Sequence, residues 1–293
     1  MRVFVTGGSG LIGSAVVGEL LTGGHTVVAL ARSDASAESL STAGAEPLRG
    51  SLADLDVVRA GAAQSDGVIH LAFGHDFTSA EAIARAVAEE RAVLTVIGEA
   101  LVGSDRPLVT VSGTPAVAGR SSTEADPLPT GGPVSGRAES VMAALALASQ
   151  GVRSSAVRLP RTVHNEGRGG FAGMLVEMAR RNGVSRYPLD GGQRWPAVHA
   201  LDAAALFRIC LERAPAGSSW HAVADEGDRV REIAEVIGRH LQVPVQGVDP
   251  ATFGPLGPIF AADQPASSCH TQETLGWRPQ QPSLLEDLAN IGA

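Results

Sequence analysis

The chain has 293 residues, 44% of them hydrophobic and 18% charged, the balance of a folded globular protein and not of a disordered one. A formal net charge of −8 speaks against nucleic acid or an anionic membrane as the main partner, because both require basic surface, and makes a small molecule the expected one. The sequence contains no lysine, so all 23 Lys+Arg residues are arginines, and a Schiff-base lysine, a P-loop lysine and a lysine general base are excluded.

In chain order, Val3-Phe4-Val5 reads as a first strand beginning almost at the N-terminus, with no signal peptide ahead of it, so a cytoplasmic location is expected. No run approaches the roughly 18 uninterrupted apolar residues of a membrane span. Leu11 to Leu21 repeats apolar residues at helical spacing and stops at Gly23-Gly24, and Thr26 to Ala31 is the next strand, which closes one βαβ unit. Further strands are expected at Glu46 to Leu48, Val68 to Leu71, Leu108 to Ser112 and Ser155 to Leu159, with helices over Ala53 to Ala63 and Ser79 to Val102. This alternation predicts an α/β fold, a Rossmann-type doubly wound parallel sheet of at least six strands, with a smaller C-terminal substrate-binding region. Residues 1–160 form the expected dinucleotide-binding domain, to which 194–218 return, and 161–193 with 219–293 form the smaller region. The Gly-, Pro- and Ser-rich stretch Pro115 to Pro133 reads as a loop at the carboxyl end of the fifth strand, where open α/β sheets place ligands. Later helices are expected near Phe171 to Arg181, over Val230 to Leu241 and over Ser283 to Ile291. Cys210 and Cys269 lie far apart without metal-ligand spacing and read as reduced packing residues.

Thr6-Gly7-Gly8-Ser9-Gly10-Leu11-Ile12-Gly13 carries the most chemistry, because it sits where the first strand gives way to a helix. Glycines there permit a tight turn and close approach of the backbone to a pyrophosphate, and the free N–H groups of Leu11 and Ile12 face the negative charge. About twenty residues on, the position that selects the cofactor is Arg32, followed by Ser33. A guanidinium and a hydroxyl suit a ribose 2′-phosphate, whereas an NAD-selective site needs a carboxylate, so NADP(H) is the expected cofactor, although Asp34 is close enough to rotate in.

The Thr-Gly-x-x-Gly-x-x-Gly spacing resembles the extended short-chain dehydrogenase/reductases, which include nucleotide-sugar epimerases, dehydratases and hydroxysteroid dehydrogenases. Gly50-Ser51-Leu52-Ala53-Asp54 is similar to the family's adenine-flanking Gly-Asp-Leu-x-Asp segment, with Ser51 in place of the aspartate, and His70-Leu71-Ala72-Phe73 is similar to its His-x-Ala-Ala segment. Val111 to Gly119 resembles the segment ending Val-Tyr-Gly, which puts Thr114 at the active-site Ser/Thr; Leu159-Pro160 and Val198 to Ala204 match later landmarks. The resemblance implies cofactor contacts from Gly7, Ser9, Gly10, Leu11, Ile12, Gly13, Arg32, Ser33, Ser51, Leu52, Leu71, Ala72, Phe73, Pro160 and Val163. It also implies a homodimer built on the alanine-rich helices Glu81 to Val102 and Arg137 to Ser149.

This sequence departs from the family at Tyr-x-x-x-Lys. Counting back from Glu139 leaves Ser135 at the lysine and Gly131 at the tyrosine, so the chain is most similar to an atypical subgroup without that pair. The family tyrosine protonates the carbonyl oxygen as hydride arrives. Its replacement is sought in Thr114, which can orient a substrate oxygen, and in His164 or His75 beside Asp76, histidine being the residue type suited to general acid–base work. Tyr187, the only tyrosine, reads as a packing residue, His199 and Asp202 as scaffold, and Trp195, Phe73 and Phe171 as the lining of an apolar pocket. The expected function is an NADP(H)-dependent reductase or dehydrogenase acting on a small, fairly apolar carbonyl, imine or activated alkene. A catalytically silent NADP(H) sensor or scaffold is the alternative, and a nucleotide-sugar epimerase or dehydratase the third.

Overall fold

The computed structural model describes residues 1–74, 79–128 and 135–291. In chain order the elements are β1 (Arg2–Thr6), α1 (Leu11–Thr22), β2 (Thr26–Ala31), α2 (Asp34–Thr42), β3 (Glu46–Arg49), α3 (Leu55–Ala63), β4 (Gly67–His70), α4 (Ala80–Leu101), β5 (Pro107–Gly113), α5 (Ser135–Ala146), β6 (Arg153–Leu159), β7 (Thr162–His164) and α6 (Gly170–Asn182). They continue with β8 (Ser185–Pro188), β9 (Arg194–His199), α7 (Ala200–Arg213), β10 (Ser218–His221), β11 (Asp225–Arg229), α8 (Val230–Leu241), β12 (Val245–Val248), α9 (Gly257–Phe260), α10 (Cys269–Leu275) and α11 (Leu284–Ala289). The chain divides into two compact units: Met1–Ser112, Leu128–Arg158 and Ala204–Trp220 make one, and Gly113–Pro127, Leu159–Ala203 and His221–Ala293 the other. Among the described residues, no helix is long and apolar enough to cross a membrane.

A seven-stranded sheet in the order β10-β6-β5-β4-β1-β2-β3 organises the first unit, parallel from β3 through β2, β1 and β4 to β5. Its central strand β1 is apolar on both faces because helices cover both, so Val3, Phe4 and Val5 are all fully buried. Pleating sends Phe4, Val68 and Leu108 to one face, where they pack with Val58 and Ala62 of α3 and Val93, Leu94 and Ile97 of α4. Two residues on, toward the carboxyl ends, the same face carries the row Thr6, His70 and Thr110. The α1 helix ends at Gly23, and Gly24 takes a positive φ of 78° that lets the chain turn into β2.

The second unit holds two small sheets, β11-β9-β7 and β12-β8. Their core is built by α6 (Leu175, Val176), α8 (Ile233, Ile237), α11 (Leu284, Leu288), Trp195 and Phe260. Trp195 is therefore a core residue with no exposed surface, not the wall of a pocket, and Tyr187 packs at the edge of the same cluster. Cys210 is buried, but Cys269 is exposed and does not serve as packing.

A bulge in β11 brings Asp225 and Asp228 to the antiparallel edge of β9. Asp228 is half-buried; burial pushes its pKa up to about 6, and the nearby Asp225 and Glu232 carboxylates push the same way. The folded chain therefore holds this proton more tightly than the unfolded chain, and stability falls as pH rises from about 4 through about 6. Asp228→Asn is expected to raise the melting temperature at pH 7.5 and to leave it unchanged at pH 3.5. After allowance for solvent screening of a partly exposed group, the gain is about 1 kcal/mol. A loss of stability at pH 7.5 by calorimetry would contradict this.

Candidate active site

The first unit presents the glycine turn between β1 and α1. Gly7 has a φ of 76°, and a Cβ there would lie 2.9 Å from the Ala72 nitrogen, so only glycine lets the end of β4 approach β1 this closely. A Cβ on Gly13 would come within 1.9 Å of the Gly7 carbonyl oxygen, which makes Gly13 the residue that seats the helix against the turn. Gly10 differs: its Cβ would meet only the Gly7 oxygen, at an ordinary 3.5 Å, and its surface is exposed. Nothing in the protein demands glycine at position 10, but a ligand laid against the backbone would. The first helical hydrogen bond runs from the Ser14 N–H to the Gly10 oxygen. The N–H groups of Leu11, Ile12 and Gly13 thus lie in the orphan first turn, with no capping side chain and no acidic residue nearby. An uncapped helix start without negative charge fits a pyrophosphate.

At the end of β2, Arg32 and Ser33 are exposed. Ser33 Oγ accepts the Ser36 N–H at 3.2 Å and caps α2, so its hydroxyl is already engaged. A second guanidinium is present that the sequence reading missed. Arg49 pairs in register with Ala31; its Nη1 donates to the Ser33 oxygen at 2.5 Å and its Nη2 to Asp34 Oδ1 at 2.7 Å. The Asp34 carboxylate is thereby drawn to Arg49. At the end of β3, Ser51 gives its N–H and its hydroxyl to Asp54 Oδ2, at 2.7 and 2.9 Å, and these bonds hold the exposed Asp54 carboxyl below the usual carboxylate range.

The end of β4 is a buried polar node. Thr6 Oγ1 accepts the Ala72 N–H at 3.3 Å and shares a hydrogen bond of 2.7 Å with His70 Nδ1. Burial, aided by the Arg137 charge, lowers the His70 pKa to about 3 and keeps the ring neutral. Arg137 of α5 stacks on Phe73 with its Cζ 3.9 Å from the ring centre and grips the buried Glu90 of α4 through Nε and Nη2, at 2.9 to 3.1 Å. Burial raises the Glu90 pKa, and Arg137 opposes that shift. Phe73 is thus a platform for a cation. His75, Asp76 and Gly131 lie outside the described residues.

In the second unit, Thr114 is fixed by its backbone. Its N–H donates to the Leu159 oxygen at 2.9 Å, and its carbonyl accepts from Gln264 Nε2. Thr114 Oγ1 is buried without a partner among the described residues. His164 is 1% exposed; its Nδ1 sits 2.8 Å from Asp287 Oδ2, and Asp287 also accepts the N–H groups of Glu166 and Gly167, both at 3.0 Å. His164 Nε2, like Thr114 Oγ1, has no partner among the described residues. The His199 ring stands edge-on to His164 at 5.3 Å, and burial, then the neighbouring His164, lowers its pKa. Asp202 accepts the Gln280 and Gln281 N–H groups, while its carbonyl takes the indole N–H of Trp277. Pro160 is buried just after β6, and Val163 is buried within β7.

A profile of the NAD dependent epimerase/dehydratase family matches residues 3–223. An uncharacterised protein of Schizosaccharomyces pombe is 46% identical over 296 residues, 99% of each chain. One of Saccharomyces cerevisiae is 41% identical over 295 residues, 98% of each chain. A shorter match of 72 residues, 25% of this chain and 22% of the other, is 39% identical to a 4-hydroxy-2-methyl-3-oxo-4-farnesyl-3,4-dihydroquinoline-1-oxide ketoreductase of Stigmatella aurantiaca. Among solved structures, Pal from Bacillus thuringiensis superposes with a TM-score of 0.81 at 20% identity over 99% of this chain and 97% of the other. The UDP-glucose 4-epimerase of Thermotoga maritima superposes with 0.80 at 20% identity over the same shares. At such identities these structures speak for the fold, which is the Rossmann-like arrangement expected from the sequence.

Proposed function

This chain belongs to the NAD dependent epimerase/dehydratase family, and from that premise we propose that it is an NADP(H)-dependent reductase of small carbonyl, imine or activated-alkene substrates. The observation that carries the reading is the glycine turn, where an exposed Gly10 opens an uncapped helix, together with the Arg32–Arg49 corner at the end of β2. When bound, NADPH supplies the hydride. Gly7, Gly10 and Gly13, with Ser9, Leu11 and Ile12, hold its pyrophosphate, and Arg32 holds the 2′-phosphate while Arg49 neutralises Asp34. Ser51, Leu52, Leu71, Ala72, Phe73, Pro160 and Val163 complete the cofactor contacts. In the substrate-binding unit, Thr114 Oγ1 orients the substrate oxygen, and His164 Nε2, with Nδ1 tied to Asp287, supplies the proton.

The test is NADPH oxidation at 340 nm across a panel of ketones, aldehydes, imines and enones. Substrate-dependent oxidation supports a reductase. Tight NADPH binding with no oxidation by any class would instead support the silent binder, a reading favoured by one specific observation: the chain has no lysine to serve a Tyr-x-x-x-Lys site. The ketoreductase relative agrees with reduction, whereas epimerisation and dehydration rank below it because they rest on the same missing tyrosine.

We further propose a homodimer in the cytoplasm. Ala84, Ala88 and Thr95 of α4 and Met142 of α5 are exposed, a run of small and apolar side chains along two adjacent helices. A stable interface buries about 1,200 to 2,000 Å², and two facing α4/α5 pairs are long enough to supply it. Light scattering at micromolar concentration is expected to give twice the monomer mass, and Ala88→Arg to give the monomer. A monomeric parent would remove the proposal.

A further inference from the structure

Arg161 lies half-buried between β6 and β7, and among the described residues its guanidinium meets no carboxylate. Its Nη1 donates to the Ile259 carbonyl oxygen at 2.8 Å, and its Cζ stands 5.3 Å from the centre of the Phe171 ring. Those contacts supply a neutral acceptor and a π face, not a counter-charge. Nε is buried with no partner, Nη2 makes no hydrogen bond, and no carboxylate lies within salt-bridge distance, all among the described residues. The underlying surface is apolar: Phe171 packs edge-on against Phe260 at 5.5 Å and tilts against Trp195 at 5.9 Å. Burial alone lowers the Arg161 pKa to about 10, with no carboxylate to oppose the shift, so the side chain is still a cation at neutral pH.

Three other arginines show the contrast. Arg137 meets Glu90, Arg194 meets Asp263, and Arg208 meets Glu19 and Glu212. A half-buried charge without a counter-charge carries a desolvation cost that a bound anion would offset. With Nε buried and Nη1 bound to Ile259, Nη2 is the donor left for an oxygen of a carboxylate or phosphate.

We propose that Arg161 recognises an oxyanion on the substrate, so that the molecule reduced carries a carboxylate or phosphate group beside an apolar portion. This rests on the reading of the second unit as substrate-binding, and narrows the substrate from a neutral carbonyl compound to an acidic one. The anion meets Nη2, and the apolar portion lies beside the Phe171 ring on which the guanidinium rests.

The experiment uses benzoate, phenyl phosphate and neutral benzamide as probes, titrated calorimetrically into the full chain in low-salt buffer, with Arg161→Gln alongside. One of the two anions should bind to the parent, and Arg161→Gln should weaken it at least tenfold while benzamide gives no heat with either protein. Which anion binds distinguishes carboxylate from phosphate. NADPH affinity should be unchanged in the variant, and its melting temperature should be no lower than the parent's, because an uncompensated charge has been removed. The proposal is overturned if neither anion binds, if benzamide binds as well, or if the variant retains the anion. A parallel loss of NADPH would overturn it too, by assigning the anion to the cofactor, as would a melting temperature several degrees lower, which marks a structural clamp. Anion binding that depends on Arg161, without NADPH oxidation by any acid tried, leaves this assignment standing and removes the reductase reading.

Discussion

Arg32→Ala is expected to weaken NADPH binding roughly ten- to hundredfold and to leave NADH binding within about twofold, because a charge-assisted contact to phosphate contributes about 1.5 to 3 kcal/mol. The lower part of that range is the better expectation, since Arg32 is exposed and solvent screens the pair. Arg49 sets the background. Its Nη2 neutralises Asp34, the nearby carboxylate otherwise able to accept a ribose 2′-hydroxyl, so Arg49→Ala releases Asp34 and moves preference toward NADH. The two variants therefore differ in kind: one removes the phosphate partner, the other frees its competitor. NADPH binding by the parent should also fall with added salt more steeply than by Arg32→Ala. Equal loss of both cofactors in Arg32→Ala by titration calorimetry would refute the assignment of the 2′-phosphate to this corner.

How much of this could be read from the sequence follows from how local each constraint is. The glycine turn is legible because backbone geometry within a few residues requires glycine: Gly7 by its positive φ, Gly13 by the Gly7 oxygen 1.9 Å from where a Cβ would stand. The inner strands are legible because a sheet covered on both faces writes them as apolar runs, whereas β3, Glu-Pro-Leu-Arg, is an edge strand with no such run. The α2 helix escaped, since Asp34–Thr42 is serine-rich and buries only Leu40; its signal was the capping pair Ser33 and Ser36. The strand β11, written Asp-Glu-Gly-Asp-Arg, has no apolar pattern and exists because β9 offers it an edge. Contacts between distant positions were the least legible. Glu90 with Arg137 and His164 with Asp287 are 47 and 123 residues apart, and only the fold brings each pair together. Arg49 left one usable hint, an arginine ending the strand that runs beside β2.

His164→Ala should lower single-turnover NADPH oxidation by about 10² or more with NADPH affinity unchanged, since a positioned general acid is worth roughly 10² to 10⁴ in rate. The dyad gives the prediction a second arm. Asp287 orients His164 through Nδ1 but also ties down the Glu166 and Gly167 N–H groups, so Asp287→Asn should shift the pH profile as well as lower the rate. A substitution that merely loosened the loop would lower the rate equally at every pH. Thr114→Val removes a hydroxyl that has no partner among the described residues, so it should raise KM or slow hydride transfer without destabilising the fold. Tyr187→Phe should be close to silent: a Cβ on Gly247 would lie 2.9 Å from the Tyr187 ring, which is held as packing in β8 beside Arg231. If the tyrosine variant alone loses activity, the site lies elsewhere in the second unit. If His164→Ala melts earlier yet turns over like the parent, His164 is a tie between β7 and α11, and solvent protonates the product.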